Sequence, residues 1–142
     1  MIVIKRVYEP VSRTDGTRVL VDRLWPRGLT KAGAALGDWL RDLAPSDELR
    51  RWYHARPAQW DGFRKKYLKE LSRPEAEDAL RRLYAFAHKR KRLTLLFASK
   101  NETRNNAVVL KELLEGKRKP PTGTGPEAVA AARRREAAVR RR

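Results

Sequence analysis

Cysteine is absent from this 142-residue chain, which excludes disulfides, thiolate metal ligands and cysteine nucleophiles. Histidine is nearly as scarce. His54 and His88 are the only two, and they fall on separate expected helices without the spacing of a paired-imidazole motif, so no zinc or other metal site is expected. Neither a GxGxxG fingerprint nor a glycine-rich loop ending in Lys-Ser/Thr occurs, so dinucleotide and P-loop readings lack their glycines and no cofactor is assigned. No apolar run approaches the about 20 residues that a membrane span needs. The opening MIVIKRVYEP is too short in its apolar run and too charged for a signal peptide. The expectation is therefore a cytoplasmic protein without a membrane span.

Acidic residues are also in deficit. Asp and Glu number 17 against 34 Lys and Arg, a formal net charge of +17 that favours encounters with polyanions. Residues 117–142 hold nine Lys/Arg and two Glu, a net of +7, which leaves +10 for residues 1–116. The run KRKPPTGTGPE after Gly116 resembles a linker, and the Ala/Arg-rich segment behind it has little to bury. We divide the chain into one α/β domain, residues 1–116, and a basic, flexible extension, residues 117–142.

Apolar periodicity orders the domain. Ile2 to Val7, Arg18 to Leu24 and Leu93 to Ala98 read as strands, the last as one covered on both faces in a parallel sheet. On the second strand Asp22 shares a face with Leu20 and Leu24, so its carboxylate is either paired or at the rim of the core. Thr30 to Leu43 reads as a short helix burying Leu36, Trp39, Leu40 and Leu43. Ser46 reads as the N-cap of a helix from Asp47 to about His54. Pro57 opens a longer helix whose stripe is Trp60, Phe63, Tyr67 and Leu71, with core burial the expected use of those aromatics. Ser72 and Glu75 have capping-box spacing ahead of a helix to about Lys89, and Ala107 to Leu114 forms another, stopped at Gly116. The expected architecture is a small, mostly parallel central sheet flanked by helices.

Two stretches carry chemistry. VDRLWPRG, Val21 to Gly28, packs Asp22, Arg23, Trp25 and Arg27 around Pro26, which pushes Trp25 toward extended geometry, while Gly28 permits a tight backbone. SKNETRNN follows the third strand and precedes a helix, the place where open α/β folds bind ligands. There Asn101, Arg104 and Asn105 suit an anionic ligand, although Asn101 or Thr103 serves equally as a helix cap. Arg23, Arg27 and Arg50 suit phosphate or carboxylate recognition, or else pair with Asp22 and Glu70 to hold the fold. For proton transfer the candidates are Asp22, His54 and Glu70, with a histidine at a helix end also explained by its last carbonyls.

The succession VDRLWPRG, WLRDLAPSDELRRWYH, FRKKYLKEL, LTLLFASKN and NNAVVLKELL resembles the YeaO-like family, domain of unknown function 488, over Ile2 to Leu114. The resemblance implies a small bacterial α/β domain and carries over no substrate. The family pattern commonly has an acidic residue after its last strand and a histidine just before the Asn. Here those places hold Asn101 and Arg104, which implies weakened catalysis if the pair is catalytic, or a stronger anion site if it is not.

The functional expectation is a pocket at the strand ends that binds a small anionic or nucleotide-like ligand. Hydrolase or transferase chemistry there would use Asp22 or His54 as base and arginines to offset developing charge. The alternative is a nucleic-acid-binding module that uses the basic extension without reading sequence, since no recognition motif is present. Neither an enzyme class nor an oligomeric state follows from these residues.

Overall fold

β-branched and leucine-rich segments pair as four parallel strands in the order β1-β4-β2-β3. A computed structural model describes residues 1–89 and 91–140. Arg90, in the basic run before the last strand, and Arg141 and Arg142 of the expected extension lie outside the described residues. The strands are β1 (Ile2–Arg6), β2 (Thr17–Leu20), β3 (Asp38–Trp39) and β4 (Leu93–Phe97). The third and central strand of the sequence reading, Leu93 to Ala98, is β4, buried along its whole length between β1 and β2. Both neighbours run parallel to it, which explains an apolar run without alternation.

The two faces of the sheet are covered differently. Val19, Leu93, Leu95 and Phe97 face the main core, where α2 (Asp47–Ala55), α3 (Trp60–Leu71), α4 (Pro74–His88) and α5 (Asn106–Leu114) supply Leu49, Phe63, Tyr67, Leu80, Leu83 and Leu110. On the other face Leu20 and Leu96 meet Val7 and a cover of Trp25, Leu29 and Leu36 from the connection between β2 and β3, with Trp39 of β3 beside them. That same face carries charge at its edge. Arg18 on β2 donates to Asp15 at 2.6 Å and to the Ala34 carbonyl at 3.0 Å, while Lys5 on β1 reaches Asp15 at 3.0 Å. Burial pushes the Asp15 carboxyl upward, but the Ser12 N–H, Lys5 and Arg18 outweigh it and leave it below its ordinary value.

Three expectations are corrected. Thr30 to Leu43 is not one helix: α1 (Lys31–Ala34) is a single turn capped by Thr30, Ala35 takes a left-handed φ of 48°, and β3 and a 3-10 turn at Arg41–Leu43 follow. Gly33 and Gly37 dilute helix propensity there, and Leu20 offers its carbonyl to Leu40 N–H at 2.9 Å, so sheet pairing wins. Ser72 does not cap α4; its hydroxyl donates back to the Leu68 carbonyl at 3.2 Å, and Pro74 opens the helix after Arg73. β2 ends at Leu20 rather than Leu24, because the Asp22 side chain takes over pairing with the chain beyond β4.

Past Gly116, where the sequence reading ended the domain, the chain forms α6 (Pro126–Arg140), which lies on α4 and places Val129 in the main core.

Candidate functional site at the strand ends

Beyond Leu20, main-chain pairing continues for one residue, with Val21 N–H donating to Leu96 at 3.1 Å. Asp22 then replaces the backbone with its side chain. Its Oδ2 accepts the Ala98 N–H at 2.8 Å and its Oδ1 accepts the Asn106 side-chain amide at 3.1 Å. The same Asn106 nitrogen donates to the Val21 carbonyl at 3.0 Å. A carboxylate thus takes the donor that the next residue of the ladder would have used, and the strand stops. The Asp22 carbonyl accepts the Trp39 indole N–H at 2.7 Å, so β3 is joined to the same point.

The arm that follows folds back on itself. Leu29 N–H donates to the Pro26 carbonyl at 3.3 Å, with Gly28 at φ 83° as the third residue of the turn, a position that glycine fills without steric cost. Trp25 closes this turn through its indole N–H to the Leu29 carbonyl at 2.7 Å and meets Trp39 edge to face at 5.5 Å. Arg41 lies over Trp39, 4.2 Å from the ring centroid.

The asparagines of the β4–α5 corner build the corner itself. Asn101 Oδ1 accepts from the Thr103 and Arg104 N–H groups at 3.1 and 3.0 Å. Asn105 caps α5 by accepting the Val108 N–H at 3.1 Å and donates to the Asn101 carbonyl at 2.8 Å. The cap is therefore Asn105, not Asn101 or Thr103. Asn106, which sequence reasoning passed over, is the residue that reaches the arm. Its signal was available: it sits one helical step from Val109 and Leu110 and two from Leu113, a polar side chain on a buried stripe.

The remaining candidates divide by what they touch. Both carboxylate oxygens of Glu70 are engaged by Ser46, through its N–H at 2.8 Å and its hydroxyl at 2.6 Å, so Glu70 ties α3 to the start of α2. Tyr67 lies between the two carboxylates that the sequence singled out. Its hydroxyl donates to the Leu43 carbonyl, and burial, then the charges of Asp22 and Glu70, push it well above the ordinary tyrosine value. Arg50 is exposed and pairs with Asp47 of its own helix at 3.6 Å. His54 is exposed in the last turn of α2. Arg23, Arg27 and Arg104 are exposed, and among the described residues none of them forms an ion pair. Arg104 lies near Tyr53, whose hydroxyl is raised by burial and drawn back by that guanidinium. The arm and the corner therefore meet, and three free guanidiniums belong to them. Among the described residues no cluster of three or more His, Asp or Glu is placed to hold a metal ion. A cavity of about 640 Å³ lies elsewhere, lined by Leu71, Ser72, Pro74, Leu113, Pro121 and Thr124 among others, and shares no residue with the arm or corner.

Burial raises the Asp22 carboxyl above its usual 3.8, against the pull of the Ala98 N–H and the Asn106 amide. A raised value in the fold means that the protonated form is the better tolerated one. The contribution is complete below the unfolded value and is lost as pH rises through the folded one. Urea unfolding of wild type and Asp22→Asn across an acid-to-neutral series is expected to show wild type losing ground to the variant as pH rises from about the unfolded value near 3.8. A wild type that instead gains on the variant over that range contradicts the assignment.

A family model described as "Inactive DUF488-N3 subclade" matches residues 1–129. The chain is 46% identical over 113 residues to the uncharacterized protein YeaO of Escherichia coli K12, an alignment that covers 80% of this chain and 96% of that protein. It is 42% identical over 114 residues to the uncharacterized protein Rv3073c of Mycobacterium tuberculosis H37Rv and to Mb3100c of Mycobacterium bovis, covering 80% of this chain and 93% of each. No solved structure matches it. With a family model matched over residues 1–129 and a relative 46% identical over most of its length, the chain belongs to the YeaO-like DUF488 family.

Proposed function

We propose that the strand-end rim binds a small anionic ligand without transforming it. The observation that carries this reading is that the arm bearing Arg23 and Arg27 and the corner bearing Arg104 are joined through the Asp22 side chain. All three are exposed and free of ion pairs among the described residues, on two segments tied together through Asp22. Guanidiniums left unpaired on a rigid support are ready for phosphate or carboxylate oxygens. The carboxylates nearby do not compete for them: Asp22 is engaged by Ala98 and Asn106, and Glu70 by Ser46. Binding rather than catalysis is favoured by the wording of the family model, which calls its subclade inactive, and by Asn101 and Arg104 at places where the family pattern commonly has an acid and a histidine. Of the proton-transfer candidates, His54 stands exposed and Glu70 is committed to a helix cap, which leaves Asp22 as a partly buried carboxyl with two donors already in place.

A second reading rests on a different surface. Arg133, Arg134 and Arg135 stand exposed on α6 and form no ion pair among the described residues, a cationic ridge suited to nucleic-acid phosphates.

For the rim, thermal-shift measurements with inorganic phosphate, sugar phosphates and nucleotides are expected to raise the unfolding temperature of wild type and to leave Arg27→Ala and Arg104→Ala unmoved. No shift with any of these anions, or equal shifts in all three proteins, contradicts the rim reading. For the ridge, nucleic-acid affinity of the full chain is expected to fall steeply with salt. In a log–log plot, replacing Arg133, Arg134 and Arg135 with Gln should flatten that slope by about 3. An unchanged slope contradicts it.

A further inference from the structure

We infer that the ligand of the rim carries a nucleobase as well as a phosphate, an inference that rests on the rim reading above. Simple anion binding accounts for Arg23, Arg27 and Arg104 but not for the apolar surface exposed on and against the arm. Tyr8, in the turn that follows β1, is 42% exposed, and Leu24 on the arm is 70% exposed. They are two of the few large apolar side chains left open to solvent among the described residues.

Tyr8 is also fixed in place. Its hydroxyl donates to the Arg27 carbonyl at 3.1 Å, which joins the ring to the arm. The Arg6 guanidinium lies 5.3 Å from the ring centroid and is itself held by the Ala98 and Ser99 carbonyls at 3.1 and 3.0 Å. One exposed ring is thereby hydrogen-bonded to the arm and lies against an arginine that holds the chain beyond β4. An ordered aromatic face in water loses little further freedom when a planar group stacks on it, which is the economy of a preorganised platform. Guanidinium next to such a ring adds a second planar, cationic surface that prefers π-systems.

The charge pattern separates the parts of the ligand. Arg27 follows Pro26 in the turn whose carbonyl anchors Tyr8, so a phosphate held by Arg27 would place an attached sugar and base within reach of the ring. Arg23 and Leu24 are neighbours on the same arm, again a cation beside an exposed apolar side chain. A sugar phosphate or free phosphate uses the cations alone. A nucleotide uses both, and so does one unit of a single strand, since both present the same base and phosphate chemistry.

Calorimetry on the full chain with ribose 5-phosphate, the four common nucleoside 5′-monophosphates and a single-stranded tetranucleotide tests this. At least one monophosphate is expected to bind about tenfold or more tightly than ribose 5-phosphate, the scale of one base stacked on one aromatic ring. Tyr8→Ala should bring that monophosphate down to the level at which the same variant binds ribose 5-phosphate. Tyr8→Phe, which keeps the ring, should retain the preference. A tetranucleotide that binds more tightly than the monophosphate assigns the ligand to single strands, and one that does not assigns it to free nucleotides. Equal binding of sugar phosphate and all four monophosphates, or a preference that survives Tyr8→Ala, overturns the nucleobase inference and leaves the anion reading standing. If no probe binds, both fall.

Discussion

A carboxylate takes the place of backbone at the end of β2, and the geometry of the strand-end surface follows from it. Asp22 accepts the Ala98 N–H and the Asn106 amide, while its own carbonyl accepts from Trp39. Three connections that leave the sheet separately are thereby gathered to one residue: the arm after β2, the corner after β4 and the end of β3. Without that residue the part-buried Ala98 N–H would lack a partner and the Asn106 amide would keep only the Val21 carbonyl, at a cost of about 1–3 kcal/mol. The free guanidiniums of the rim gain a defined position only because the segments that carry them are held in this way.

The charges of this strongly basic chain do different work in different places. Lys5 and Arg18 converge on Asp15 beneath the sheet edge, and Glu70 secures the first turn of α2, so these groups serve the fold. Arg81 with Glu77 is a solvent-exposed pair, of the kind that contributes little net stability. Among the many cations that form no ion pair among the described residues, Arg23, Arg27 and Arg104 at the strand ends and Arg133 to Arg135 on α6 are the ones that carry the two functional readings.

Where one physical signal dominates, the sequence was legible. The leucine-rich run LTLLF of β4 announced a strand covered on both faces in a parallel sheet, the stripe of Trp60, Phe63, Tyr67 and Leu71 an inward helix face, and Ser46 a cap; the structure bears out all three. Legibility failed where tertiary pairing decided between weak local preferences. Trp39 and Leu40 belong to an apolar pattern that suits a helix, yet the open edge of β2 drew Trp39 into β3 and the Leu40 N–H onto the Leu20 carbonyl. Adjacent asparagines could not be told apart by composition. One caps α5, and the next grips Asp22, a distinction set by which of them the helix turns toward the core. The partners of Asp22 and of Glu70 were likewise beyond sequence, because each finds them on a segment far away along the chain: Ala98 and Asn106 for one, Ser46 for the other.

The dependence of the rim on Asp22 is tested most directly by a double-mutant cycle on folding stability with Asp22→Ala, Asn106→Ala and the pair. If the carboxylate and the amide act as one device, each single change costs about 1–3 kcal/mol and the double change costs less than the sum by about 1 kcal/mol or more. Costs that add to within about 0.3–0.5 kcal/mol would mean that the two residues act independently, which contradicts Asp22 as the organiser of the strand ends.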